Sequence, residues 1–535
     1  MTFNSLKIIV QIDELKALLG PANMDVEYRP TCLPGTRVEI LQDLLVSLTD
    51  PNRSHNIIWL RGLAGSGKST ILNTIAQYVS ELCRCGAFLF WDRNDPVNGD
   101  PRRVIRTLAY QLASFNSDYA EKLASQIKSR PQIISSSFNA QFQHLLLEPL
   151  SALATSGPVF IILDALDECG DRETRKELLH ELSTSLSKLP SMFRVLIASR
   201  EEPDICFALS RSGISIKKIE IDNDSTRSDI MQFFRCRLSR DNPAFAGYGL
   251  PSNWPGGQTI QQLVDRAGGL FIWASTTVRF IEGGFPTERL TRVMDASAHG
   301  ESHHELEELY WVALTHPFRS SDQTEANMVC AILGAIVVAC EQLTDEQLSE
   351  LLDLELGTVQ GILSQLQPLL QYHRGMPVQV LHASFTDFLC DPNRCRDPRW
   401  CIIASNHHQN IVEGCFRVMR RVLRFNICGI ESSYYRHQEI EGIQERIDAV
   451  ITPALMYANQ YWADHLKFVS LSTNSTSHIV DAILHFIKHQ LLYWIEVFSL
   501  KNQMSTVSVV LKKAAACTRV SLLGCQNNGH SLTLL

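Results

Sequence analysis

The chain predicts an α/β fold, a parallel five-stranded sheet with helices, followed by a helical domain, a winged helix and an all-helical C-terminal region. Two observations carry this expectation. Five short apolar runs, IIWL (57–60), GAFLFW (86–91), VFIILD (159–164), RVLIAS (194–199) and ISIKKIEI (214–221), alternate with helical patterns. Unbroken apolar runs suit strands covered on both faces, and strands separated by helices suit parallel pairing. Beyond Asp222 such runs nearly vanish and helical periodicity takes over.

Residues 1–50 form a lead-in with one helix expected over Leu6–Leu19. The sheet domain spans 51–221, its strands joined by helical stretches such as RRVIRTLAYQLASF (102–115) and RKELLHELSTSL (175–186). A helical domain follows over 222–320. There DIMQFFRCRL (229–238) and the Gln258–Ile281 stretch read as helices around a Pro/Gly/Asn-rich loop near Asp241–Gly257. Residues 321–395 show an apolar helix, then Thr344 and Gln347 spaced as a capping box opening a second helix. A third helix near Gly357–Leu370 and a hairpin turning at Arg374-Gly375 complete the pattern of a winged helix. The C-terminal region, 396–535, is helical but weakly patterned. Its last stretch, 514–535, holds a single charged residue, Arg519, and is expected to fray.

Composition narrows the class of protein. A chain of 535 residues has room for three to four domains at about 150 residues each. Hydrophobic residues at 45% and charged residues at 20% are a globular balance. The net charge of −8 supplies no basic surplus for a phosphate backbone, which makes nucleic acid a disfavoured partner. The first residues carry Lys7, Asp13, Glu14 and Lys16 in place of a signal-peptide core. The longest apolar run, Val329–Cys340, is too short to span a bilayer, so no membrane association is expected. The 15 cysteines lack CxxC or zinc spacing, and Cys83-x-Cys85 is the closest pair. Reduced thiols in a cytoplasmic protein are the expectation. Trp59, Trp91 and Trp273 are expected in cores, His303-His304 in a solvated loop, and Arg417–Arg424 on a solvated helix face.

The sharpest chemical signal is GLAGSGKS, which fits G-x-x-x-x-G-K-[ST] between an expected strand and an expected helix. In such a loop, glycines let successive N–H groups turn inward onto phosphate oxygens, which makes Gly62, Leu63, Ala64, Gly65, Ser66, Gly67 and Thr70 candidate nucleotide-binding positions. Lys68 supplies a charge to the β- and γ-phosphates and Ser69 a hydroxyl to Mg2+. The second element, FIILDALDEC, ends an apolar strand at Asp164, a carboxylate placed to hold Mg2+ beside a P-loop. Asp167 and Glu168 follow within one turn, and either is a candidate to polarise an attacking water. The third, RVLIASREE, ends a strand at Arg200, which either reads the γ-phosphate or pairs with Glu201 or Glu202.

Together GLAGSGKS, FIILDALDE and VLIASR resemble the NACHT division of the STAND-type P-loop NTPases. CLPGTRVEILQDLLVSL (32–48) and FFRCRL (233–238) resemble the large fungal NACHT set, as YANQYWADHL (457–466) does weakly. The resemblance covers roughly residues 30–395. It implies a signalling switch that binds and slowly hydrolyses Mg-ATP, with ADP in the closed state and a homo-oligomer or unknown protein partner on activation. GTP is the less favoured nucleotide, since no N/T-K-x-D segment follows the fourth strand. VLHASFTDFL (380–389) resembles the segment whose histidine touches the β-phosphate, which carries that role to His382; a core histidine beside Phe385 and Phe388 is the other reading. No death-type effector region precedes the P-loop, and no WD or ankyrin array follows the winged helix. The alternative is therefore a nucleotide-binding module or truncated decoy without its own output.

Overall fold

The computed structural model describes residues 12–22, 24, 29–50, 56–91, 99–151, 157–210, 214–220, 223–295, 302–318, 323–395, 397–432, 434, 440–469 and 477–524. The start of the helix expected over Leu6–Leu19 lies outside these residues. The chain divides into two compact units, Met1–Val312 and Ala313–Leu535.

The first unit is built on five parallel strands, β1 (Ile57–Arg61), β2 (Cys85–Phe90), β3 (Val159–Asp164), β4 (Phe193–Ser199) and β5 (Ile214–Lys218). Their order is β2-β3-β4-β1-β5, so β4 is inserted between the strand that leads into the P-loop and the strand that ends at Asp164. Side chains of a strand alternate between faces. On one face Trp59, Leu89, Ile161, Leu163 and Ile197 join a core with the helices Val104–Phe115, Ser117–Ser129 and Arg172–Ser185. On the other, Ile58, Leu60, Phe88, Ile162 and Leu196 pack with the helices Val38–Thr49 and Lys68–Glu81. Covering on both faces explains why β1, β3 and β4 are mostly apolar, with Arg61, Asp164 and Ser199 at their C-terminal ends. β5 departs from that expectation: on this edge strand, which pairs only with β1, Ile216 and Lys218 are exposed. The lead-in is integral to this unit, with Leu15 and Leu19 in the first core and Leu44 and Leu48 in the second.

Two helices, Gly257–Ala267 and Phe271–Glu282, occupy the stretch expected to be helical, and Trp59, Trp91 and Trp273 are all buried. His303-His304 differ from expectation. They fall in the first turn of the helix Ser302–Thr315, not in a loop, where Ser302 and the acidic residues after it continue a helix-forming run.

In the second unit three helices, Gln323–Val338, Asp345–Leu352 and Leu356–Gln365, precede a short antiparallel hairpin, β6 (Leu370–Gln371) and β7 (Gln379–Val380). The capping box at Thr344 is formed on both sides: its hydroxyl accepts from Gln347 N–H, and the Gln347 side chain accepts from Thr344 N–H. Asp345, fully buried, accepts hydrogen bonds from the Tyr372 hydroxyl, the Gln360 amide and Gly375 N–H, which ties the hairpin to the helices.

The helices Ala404–Val422 and Pro453–Leu466 pack along each other around Phe416 and Trp462, with ring centroids 5.3 Å apart. His408 and His465 share a 2.8 Å hydrogen bond between their Nδ1 atoms, and His465 Nε2 meets the Tyr457 hydroxyl at 2.7 Å. Of the Arg417–Arg424 cluster, Arg421 pairs with Glu350 and Arg417 donates to Leu351 O, so these two arginines are engaged within the unit. The tail also departs from expectation. Met504–Gly524 is one helix, held by buried Val510 and Ala514 against Pro453–Leu466, while 525–535 lie outside the described residues. Among the described residues, no two cysteines are joined in a disulfide and no helix is long and apolar enough to cross a membrane.

Candidate functional site

The P-loop runs from the end of β1 into the helix Lys68–Glu81. That helix opens on Gly67 at φ 94°, with no side-chain cap and no acidic residue in its first turn. Some helices elsewhere in the unit are capped, by Asn116, Asp171 and Asn223, while others such as Val38–Thr49 and Phe271–Glu282 are not. Its first N–H groups are therefore left for an external anion, aligned with the positive end of the helix dipole. Nothing lies within 4 Å of where a Gly67 Cβ would stand. Gly65 is the opposite case: at φ +75° its Cβ would stand 2.1 Å from Ile272 Cγ2, and Ile272 N–H donates to Gly65 O. A side chain at this position would be strained in backbone and would collide.

Lys68 folds its ammonium onto the loop's own Gly62 and Leu63 carbonyls, each at 2.8 Å. Burial lowers its pKa to about 8, with Asp167 pulling in the opposite direction. Ser69 Oγ donates to Asp164 Oδ1 at 3.1 Å, which brings the two expected Mg2+ ligands together. Two hard oxygen donors converging at the C-terminal edge of a parallel sheet suit that ion. Asp164 is 1% exposed, and burial raises its pKa against the pull of Arg29, Ser69 and Lys68.

The turn after β3 begins at Ala165 in the left-handed region, φ 56°, which sends Leu166–Glu168 back across the sheet edge. There Asp167 meets Arg200: one carboxylate oxygen accepts from Arg200 N–H at 2.9 Å and the other pairs with Arg200 Nε at 3.1 Å. Glu168 Oε1 lies 3.8 Å from Arg200 Nη2. Arg200 thus pairs with the β3 acids, while Glu201 faces Arg61 and Lys218. Buried Arg175 supports the turn, donating to Asp167 O at 2.6 Å and pairing with Asp204 at 2.9 Å.

His382 belongs to the second unit, at the N-cap of the helix Ala383–Cys390. Its Nδ1 accepts from Ser384 N–H at 3.2 Å, an arrangement that places the ring proton of the neutral form on Nε2.

Two arginines at this site carry no sequence signal that singled them out. Arg29 pairs with Asp164 Oδ2 at 3.4 Å and lies 3.3 Å over the Phe90 ring. Arg37, in the left-handed region at φ 58°, donates to Ser66 O in the P-loop and to Thr226 Oγ1 and stacks over Phe271. Burial lowers its pKa. Arg37 lies inside the CLPGTR stretch already noted, whereas Arg29 has no motif around it.

A P-loop at the end of β1 and an acidic turn at the end of β3, on a five-stranded parallel sheet, define the fold of a P-loop NTPase. Residues 35–200, which contain the P-loop and the β3 acids, match the family described as Nephrocystin 3, N-terminal. Among solved structures the chain is similar to a Signal Transduction ATPase with Numerous Domains protein with a tetratricopeptide repeat sensor from Pyrococcus horikoshii. The identity is 12% and the TM-score 0.43, over 93% of this chain and 66% of that one, so the chain spans just under two thirds of its length. It is also similar to the Aeropyrum pernix ORC1 protein, solved in complex with DNA, at 16% identity and TM-score 0.32, covering 72% of this chain and 97% of that one. The corresponding values for Cdc6p from Pyrobaculum aerophilum are 12% and 0.30, over 74% and 98%. None of these likenesses is close enough to transfer function. No curated protein matches the chain.

Proposed function

We propose that the chain is a nucleotide-driven switch of the STAND type, within its NACHT division, which binds Mg-ATP and hydrolyses it slowly to gate a conformational change or self-assembly. The observation that carries this reading is the convergence of Lys68, Ser69, Asp164, Asp167, Glu168 and Arg200 on one sheet edge beside an uncapped helix N-terminus. The loop from Gly62 to Thr70 cradles the phosphates through its N–H groups, and Lys68 turns from its own carbonyls to the β- and γ-oxygens. Ser69 and Asp164 would hold Mg2+, which when bound would supply charge neutralisation to the phosphates. Asp167 and Glu168 both lie against Arg200, and either supplies the base. Asp167 then positions Arg200 toward the γ-phosphate. His382, with its proton on Nε2, would donate to the β-phosphate of ADP.

Titration calorimetry with ATP, ADP and GTP tests the binding claim, with ATP and ADP expected to bind more tightly than GTP. Lys68→Ala should weaken ATP binding by about 1.5–3 kcal/mol, the worth of a hydrogen bond to a charged group. Equal affinity in mutant and parent would remove the P-loop assignment. A second reading, a nucleotide-binding module without turnover, is favoured by the engagement of Arg200 with two acids. Single-turnover hydrolysis by the bound complex distinguishes the two.

A further inference from the structure

The acidic side of the site is neutralised from an unexpected direction. Asp164 ends β3 fully inside the protein, and an ionised carboxylate there requires a partner. Its Oδ1 takes the Ser69 hydroxyl, while its Oδ2 faces the Arg29 guanidinium at 3.4 Å, from a residue 135 positions away in the lead-in. Arg29 is seated by more than charge. Its guanidinium carbon lies over the Phe90 ring, and Phe90 is the β2 residue in register with Asp164. The neighbouring lead-in is also anchored, since Pro30 O accepts from the Asn73 amide and Cys32 N–H donates to Thr74 Oγ1 on the P-loop helix. The lead-in thus runs along the P-loop helix and delivers one cation to the carboxylate expected to serve Mg2+.

We propose that Arg29 is a resident counter-ion of the Asp164–Ser69 pair, a positive charge that opposes Mg2+ there while favouring the nucleotide's phosphates. The inference rests on the nucleotide reading above and deepens it. A cation within a few ångströms of a carboxylate lowers that carboxylate's affinity for a second cation and raises the site's affinity for an anion. Removing it therefore has opposite effects on metal and on metal-free nucleotide. Loss of a merely structural contact would weaken both.

The test uses the full chain with a fluorescent ADP, titrated once without metal in chelator and once with Mg2+ at fixed nucleotide. Arg29→Gln should lower the Mg2+ concentration for half-saturation about tenfold and weaken metal-free ADP binding by a similar factor, the effect of one unit charge at roughly 6 Å in a partly solvated site. Arg29→Lys, which keeps the charge, should return both values most of the way to those of the parent. Changes of the same sign in both titrations, or no change in either, would overturn the counter-ion role. Failure of the unaltered chain to bind ADP at all would instead overturn the nucleotide reading, and this one with it.

Discussion

At the residue scale the site is a balance of charges taken out of water. Lys68, Arg29 and Arg200 face Asp164, Asp167 and Glu168, and no member of the set is left to bear burial alone. A charge removed from such a set exposes its partner, so substitutions act through what remains. Asp164→Asn illustrates this. The amide keeps the shape and the contact with Ser69 but gives up the charge that serves the ion. Mg2+-dependent hydrolysis should fall, while metal-free nucleotide binding stays intact or strengthens because Arg29 loses its carboxylate. Hydrolysis rates and affinities measured across a Mg2+ series are the check; identical metal dependence in mutant and parent would exclude Asp164 from the site. Short-range pattern marked Lys68, Ser69, Asp164 and the acids after it, since each sits in a contiguous motif. It left the choice between Asp167 and Glu168 open, because both share one turn and differ only in which partner the fold brings to them.

At the element scale, local signals and long-range ties meet in the second unit. The box of Thr344 and Gln347 is readable from spacing alone because both hydrogen bonds stay within one helical turn. Asp345, inside the same four residues, gave no such sign. Its partners Gln360, Tyr372 and Gly375 come from the next helix and the hairpin. Burial would raise its pKa, but the bonds from Tyr372, Gln360 and Gly375 outweigh burial and lower it. A lowered folded-state pKa means stability that is fully present above the unfolded value, near 4, and lost as pH falls through the folded value. Asp345→Ala strands the donors of Gln360, Tyr372 and Gly375, as well as Glu346 N–H, and should cost about 2–4 kcal/mol at neutral pH. Denaturant unfolding of both proteins from pH 7 down to 2.5 is the measurement, with the gap between them narrowing below about pH 4. A gap independent of pH would show that packing, and not the carboxylate, is what the substitution removes. The same reasoning accounts for Gly414, whose Cβ would stand 2.1 Å from Leu351 O: a close helix approach demands it, and nothing nearby in sequence announces it.

At the scale of the whole molecule, the proposed switch requires nucleotide bound in one unit to bias the other. His382→Ala tests the proposed link. One charge-assisted hydrogen bond to a diphosphate is worth about 1.5–3 kcal/mol, enough to move a two-state population by one to two decades. The mutant should release ADP faster and shift toward larger species in light scattering, with the P-loop affinity for ATP little changed. Parent-like off-rates in a folded mutant would make His382 a structural N-cap of the helix Ala383–Cys390 and nothing more. Strand number, the parallel α/β class, the P-loop and the acid at the end of β3 were all legible in the chain, because apolar periodicity and motif spacing are properties of neighbouring residues. The strand order, the exposed edge of β5, the pairing of Arg200 with Asp167 and the arrival of Arg29 at Asp164 and Arg37 at Thr226 were not. Those contacts join residues as far as 189 positions apart. A buried charge accepts whichever partner the packed chain delivers, and only the burial of both sheet faces determines which one arrives.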